Sequence, residues 1–154
     1  MALQIDEIDR KLLRLLQQDS RRSVQELGEL AGLSGSACHR RIKQLEEHGL
    51  IAGYKAELNG RALGFTLQFF VEVALISQSE AALDAFEASV RTIPEVLECH
   101  LMAGQSDYLL RIVCRDHEDF ERLHRVLAAR LPGVARLQSN MSIREVKARS
   151  GLPV

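Results

Sequence analysis

The sequence predicts an α+β protein of two small units, and three observations carry that expectation. Apolar residues recur at helical spacing up to about residue 50 and alternate with period two from Phe65 onward. Two short helical stretches are separated only by Gly32, Leu33 and Ser34. Beyond Gly64 the patterns read strand, helix, strand, strand, helix, strand, the order of a ferredoxin-like βαββαβ unit in which two helices cover one sheet face. The expected boundaries are 1–58 for the helical unit, 59–64 for a linker and 65–154 for the sheet unit. With 154 residues in all, each unit holds a modest core, so support from a partner chain is expected.

In the helical unit, Ile5, Ile8, Leu12, Leu15 and Leu16 form one stripe, with Asp6, Glu7 and Asp9 at the start where a helix favours acids. This places the first helix from about Asp6 to Gln18. Ser23 and Glu26 have capping-box spacing, so a second helix begins there, buries Val24, Leu27 and Leu30, and ends near Ala31. Ser34 caps a third helix whose inner stripe is Cys38, Ile42 and Leu45. Two short helices joined by a tight glycine-containing turn form a helix-turn-helix, and the second of the pair is the element that enters a DNA groove. Leu50 to Ala56, with Gly53 in the middle, reads as a short strand pair or wing.

In the sheet unit, Phe65 to Ile76 is a strand with one wholly apolar face and one mixed face carrying Phe70 and Ile76. Ser79 caps a helix burying Leu83, Phe86 and Val90. Strands follow from Val96 to Met102 and from Tyr108 to Arg115, on either side of an Ala103–Asp107 turn. Asp116 caps a helix presenting Phe120, Leu123 and Leu127, and a last strand runs from Val134 to Arg144. The face without helices has no cover inside the chain, so a homodimer joined through it is expected.

Composition narrows the function. At 46% hydrophobic and 27% charged residues the chain is that of a soluble globular protein, and its longest apolar runs are too short to span a bilayer. Three dispersed cysteines without a CxxC pair fit a reduced, cytoplasmic setting. The net charge of −1 does not advertise nucleic acid, so the local charge pattern has to carry that reading. Between Gly35 and Lys43 the chain places Arg40, Arg41, Lys43 and His39 with no acid. Taken alone, such a cluster reads first as a solvated helix face.

On a helix, Ser36, His39, Arg40 and Lys43 share the outward face, with Ser34 at its start, at the spacing needed to meet phosphates and base edges of double-stranded DNA. Arg41 lies toward the side, where it either contacts phosphate or braces the first helix through Asp9 or Asp6. Arg21 and Arg22 precede the Ser23 cap and either touch the DNA backbone or simply solubilise. Lys55 is a weaker phosphate candidate of the same kind. Catalysis finds no support: Cys99 and His100 are adjacent on a strand and point apart, His117 and His124 have no fixed acid or cysteine partner, and no phosphate loop or nucleophile elbow appears. No cofactor and no metal is expected.

Ile5-Asp6 with Asp9, Leu12 to Leu16, Arg22-Ser23, Glu26-Leu27, Gly32-Leu33-Ser34, Arg41-Ile42 with Leu45-Glu46, and Gly49-Leu50-Ile51 with Gly53-Tyr54 form an ordered set. With Leu63-Gly64, Gly104, Asp107-Tyr108-Leu109-Leu110 and Val146-Lys147, it resembles the Lrp/AsnC, or feast/famine, family of prokaryotic transcriptional regulators over almost the full chain. Gly35, Gly60 and Ala103 depart from it, standing where proline, proline and threonine are common. The resemblance implies dimers that assemble further into tetramers or octamers, and free amino acids or related metabolites as effectors. It places the effector at Met102, Ala103, Gly104, Gln105, Ser106 and Asp107, at a contact between dimers, where backbone N–H groups suit a carboxylate and Asp107 an ammonium group. The alternative at that turn is an ordinary hairpin with Asp107 in local hydrogen bonds. For the whole chain, the alternative to an effector-responsive regulator is an architectural DNA-binding protein whose second unit only oligomerises.

Overall fold

The computed structural model describes residues 4–148 and 151–154. Helix α1 (Glu7–Gln18) starts at Asp6, whose carboxylate accepts from the Asp9 amide while the Asp9 side chain accepts from the Asp6 amide. Helix α2 (Val24–Ala31) opens on the Ser23/Glu26 capping box and closes at Gly32, which adopts the left-handed conformation that a glycine takes without strain. Helix α3 (Gly35–Glu47) is capped by Ser34. Leu12, Leu27 and Cys38 are essentially buried and pack with Ala31 and Ile42, flanked by Ile8, Leu15, Leu16 and Ile51. Full burial of a leucine is worth roughly 1.5–3 kcal/mol, so these few side chains hold the three helices together.

One expectation fails here, and the wing takes a looser form than a strand pair. Leu30 is 47% exposed, and α2 instead buries Leu27, Gly28 and Ala31. The small residues at 28 and 31 let the helix approach the turn closely, which rotates Leu30 outward. After α3 the chain forms no hydrogen-bonded strand pair over residues 50–56. That segment runs as an irregular extension.

The second unit has strands β1 (Leu67–Leu75), β2 (Val96–Leu101), β3 (Tyr108–Cys114) and β4 (Val134–Met141), with helices α4 (Glu80–Val90) and α5 (His117–Arg130). Every neighbouring pair is antiparallel and the spatial order is β2-β3-β1-β4, the ferredoxin-like arrangement. The strands are shorter than expected at several ends: β1 lacks residues 65, 66 and 76, and β4 stops at Met141 instead of Arg144. Phe69, Val71, Val73 and Leu75 of β1 face the helices, together with Tyr108, Leu110, Ile112 and Cys114 of β3. Phe120 stacks on Phe69 with centroids 3.9 Å apart, and Phe86 on Tyr108 at 4.4 Å. The chain divides into a first unit, up to Glu57 with Val146–Val154 added, and a second, Leu58–Glu145. Leu58–Gly64 opens the second unit as a turn, with the Asn59 carboxamide accepting from the Ala62 amide at 3.0 Å.

Candidate nucleic-acid interface and effector turn

The start of α3 gathers small polar groups. Ser34 Oγ accepts from the Ala37 amide at 3.3 Å and lies 3.2 Å from the Ser36 hydroxyl. Free backbone N–H groups and the positive end of the helix dipole favour a phosphate at such a place. Along the helix, Cys38, Ile42 and Leu45 face inward, which fixes Ser36, His39, Arg40 and Lys43 on the exposed side. Lys43 Nζ lies 3.8 Å from Glu47, a loose surface pair that costs little to break. Arg40 forms no ion pair among the described residues.

A groove of about 430 Å³ runs beside α3, and Arg22, His39 and Lys43 converge on it with Ser20 and Tyr54. Arg22 is half-buried there, whereas Arg21 is 90% exposed and lies 3.2 Å from Asp19. Lys55 is exposed in the extension after α3. Beside it the Tyr54 hydroxyl donates to Glu46 Oε1 at 2.8 Å and pins the extension to α3. Burial first, and then the Glu46 carboxylate, push the Tyr54 hydroxyl up to about 12, so it remains a donor at neutral pH. Tyr54 was legible only as one member of the motif set, since nothing in its spacing names Glu46 as its partner.

Arg41 is a brace. Its Nη1 donates at 2.8 Å to both Asp6 Oδ2 and Asp9 Oδ1, joining α3 to the capping box of α1. Of the two readings open from sequence, this geometry meets the structural one, through Nη1 alone.

The β2–β3 turn leaves Met102, Ala103, Gly104 and Gln105 exposed and half-buries Ser106 and Asp107. Asp107 fastens the turn to β1: its amide donates to the Val73 carbonyl at 2.8 Å and its Oδ2 accepts from the Leu75 amide at 2.6 Å. Ser106 Oγ donates to Glu72 Oε2 at 3.0 Å. Asp107 is therefore held by β1 and not by bonds of its side chain within its own hairpin, while its Oδ1 has no partner among the described residues. Gly104 has no positive φ, and a Cβ there would meet nothing within 4 Å. Space, not backbone geometry, is what Gly104 adds.

The thiols offer no nucleophile. Cys38 and Cys114 are buried and Cys99 half-buried, and burial raises the Cys38 thiol and pushes those of Cys99 and Cys114 up to about 11. Among the described residues no helix is long and apolar enough to cross a membrane.

A tight-turn helix pair with a basic outward face, followed by a ferredoxin-like unit, is the architecture of a helix-turn-helix DNA-binding protein with an appended α+β domain. The AsnC-type helix-turn-helix domain family matches residues 5–46, and the Lrp/AsnC ligand binding domain family matches residues 68–152. The chain belongs to the Lrp/AsnC family, whose members are DNA-binding transcriptional regulators and not enzymes. It is 39% identical to a leucine-responsive regulatory protein of Rhizobium meliloti over 96% of this chain and 94% of that one. It is 46% identical to a helix-turn-helix-type transcriptional regulator of Sinorhizobium fredii over 76% of this chain and 92% of the relative. Among solved structures, a Neisseria meningitidis transcriptional regulator in complex with L-Met superposes with a TM-score of 0.92 at 36% identity, covering 97% of both chains.

Proposed function

We propose that this protein is a homodimeric, effector-responsive regulator that reads a partly palindromic promoter site with its two α3 helices. Ser34, Ser36, His39, Arg40 and Lys43 serve as the groove contacts, and Arg21, Arg22 and Lys55 as backbone contacts. The observation that carries this reading is the exposed face of α3, where Arg40 and Lys43 stand ready while the inner stripe is fully buried. Arg41 stays in the set as a phosphate contact that also braces α1, since both of its bonds to Asp6 and Asp9 use Nη1 alone.

The effector in this reading is a free amino acid or a close relative, bound at the turn from Met102 to Asp107 between dimers that assemble into a tetramer or octamer. Support comes from the exposed peptide groups of Ala103–Gln105, the second oxygen of Asp107, and the similarity to the Neisseria regulator crystallised with L-Met. Ala103 supplies no hydroxyl, so a small or apolar effector side chain is tolerated best.

A mobility-shift titration over a range of salt concentrations, with and without each amino acid, tests the reading. Replacing Arg40 and Lys43 by alanine is expected to leave the fold intact and to reduce the salt slope by roughly 1 per lost phosphate contact. Unchanged affinity and slope move the DNA face elsewhere. An absence of any response to amino acids at millimolar concentration favours the architectural alternative.

A further inference from the structure

The segment Gly151–Val154 groups with the helical unit, although it follows the sheet unit in sequence. Near the end of α1, Gln17 uses both ends of its carboxamide on one residue: Nε2 donates to the Leu152 carbonyl at 3.1 Å and Oε1 accepts from the Leu152 amide at 2.6 Å. Arg14, one turn earlier, donates from Nη1 to the Val154 backbone oxygen at 2.9 Å. The Val154 amide folds back to the Leu152 carbonyl at 2.9 Å, so the segment ends in a tight turn, and two side chains one helical turn apart on α1 reach the backbone oxygens of both Leu152 and Val154.

Gly151 makes this approach possible. It has φ +78°, and a Cβ there would overlap the Gln17 carboxamide. Leu152 and Val154 share the lining of one groove, about 410 Å³, with Leu13 and Leu16 of α1 and with Leu50, Ile51 and Tyr54 of the extension after α3. Recognition is mainly through the backbone, since the Leu152 side chain is 73% exposed. The extension and the last two residues of the segment lie outside both family-matched stretches.

We propose that Gly151–Val154 is a peptide latch. It docks on α1, walls one side of the groove that α1 shares with the extension, and holds Leu50–Lys55 where Lys55 works on the DNA backbone; this second part rests on the DNA-binding reading above. Its demand is for glycine at 151 and a carboxamide at 17, with wide tolerance at 152.

Hydrogen exchange by mass spectrometry on the full chain, with DNA affinity measured in parallel, tests this on G151A, Q17A and L152A. G151A and Q17A are each expected to speed exchange in Leu13–Gln17 and Leu50–Lys55 by about tenfold, the factor that one or two net hydrogen bonds carry. Their double variant is expected to go no further, because both break one contact. L152A is expected to match the wild type. DNA binding by G151A and Q17A is expected to weaken by about three- to tenfold over the same comparison. Unchanged exchange in both single variants, or effects that simply add, overturns the latch. Protection that falls on dilution assigns the groove to a second copy's segment and overturns docking within one chain. Faster exchange with unaltered DNA affinity overturns the link to Lys55. A wild type that binds no DNA, with the exchange result standing, removes the DNA-binding reading and leaves the latch.

Discussion

Arg41 shows how one side chain that reads in sequence as either a phosphate contact or a brace holds the scaffold in the structure. Its 2.8 Å contacts to Asp6 and Asp9 join α1 to α3, and Asp9 is the one buried charged residue found among the described positions. R41A leaves that carboxylate without a counterion in a site between the surface and fully buried limits, so we expect a loss of about 1–2 kcal/mol in the helical unit. Thermal unfolding followed by circular dichroism reads it, and a midpoint equal to the wild type's removes the brace. Asp6 adds a pH dependence. Its carboxyl is held below the ordinary value of 3.8, first by the Asp9 amide and then by Arg41. An acid whose folded pKa is depressed contributes stability that is present above its unfolded value and is lost as pH falls through the folded one. The contribution of this cap is therefore intact at pH 5 and fades below about pH 4. D6N is expected to flatten that limb of the stability curve. An acid limb identical in D6N and wild type contradicts the assignment.

At the level of elements, the α2–α3 turn separates two glycines that look alike in sequence. A Cβ on Gly28 would lie 2.9 Å from the Leu33 carbonyl oxygen, a backbone atom in a turn that is closed by the Leu33 amide donating to the Gly28 carbonyl at 2.8 Å. At Gly35, the first residue of α3, a Cβ would meet nothing within 4 Å. Alanine gains roughly 1 kcal/mol over glycine inside a helix. G35A is therefore expected to raise the melting temperature slightly, whereas G28A is expected to lower it because the turn must open. Equal shifts for the two variants would show that the close approach at Gly28 does not matter. The same contrast explains what the sequence made legible. The caps at Ser23, Ser34, Ser79 and Asp116 form as expected because each is decided within three residues. Leu30 was misplaced because the phase of α2 is set by how closely Gly28 and Ala31 pack, which periodicity alone does not register. The partners of Arg41 were legible as one of two options. Those of Gln17 were not, since they lie 135 residues away and are peptide groups, which carry no side-chain signature.

For the whole molecule, the proposed dimer rests on the sheet face without helices. Sequence alternation suggested a mixed face carrying Phe70 and Ile76, and the structure shows a mixed one. Arg111 donates at 2.8 Å to Glu98 and at 3.2 Å to Gln68 across its middle, while Phe70 stands 36% exposed opposite Arg111 and Leu109 is half-buried opposite Glu72. Burial pushes the Glu98 carboxyl up, but the Arg111 and His100 contacts outweigh it and leave the carboxyl below its ordinary value, so the pair stays ionised at neutral pH. A face of this kind can still pair with its own copy, because Arg111 and Glu98 already neutralise each other and the apolar side chains supply the gain. If the dimer forms here, a two-fold interface counts every substitution twice. F70D then places two carboxylates where two aromatic rings had been buried. Each lost ring contact is worth roughly 1.5–3 kcal/mol at full burial, which the partial exposure reduces, and each buried carboxylate adds a desolvation cost. We expect dimerisation of the full chain to weaken by at least about 100-fold, or roughly 2.7 kcal/mol. The helix-covered core is untouched because Phe70 points away from it, so the second unit should stay folded. Sedimentation velocity at micromolar concentration, together with circular dichroism, separates the outcomes. A folded monomer in place of a wild-type dimer supports association through this face, and a variant dimer as tight as the wild type's places the interface elsewhere.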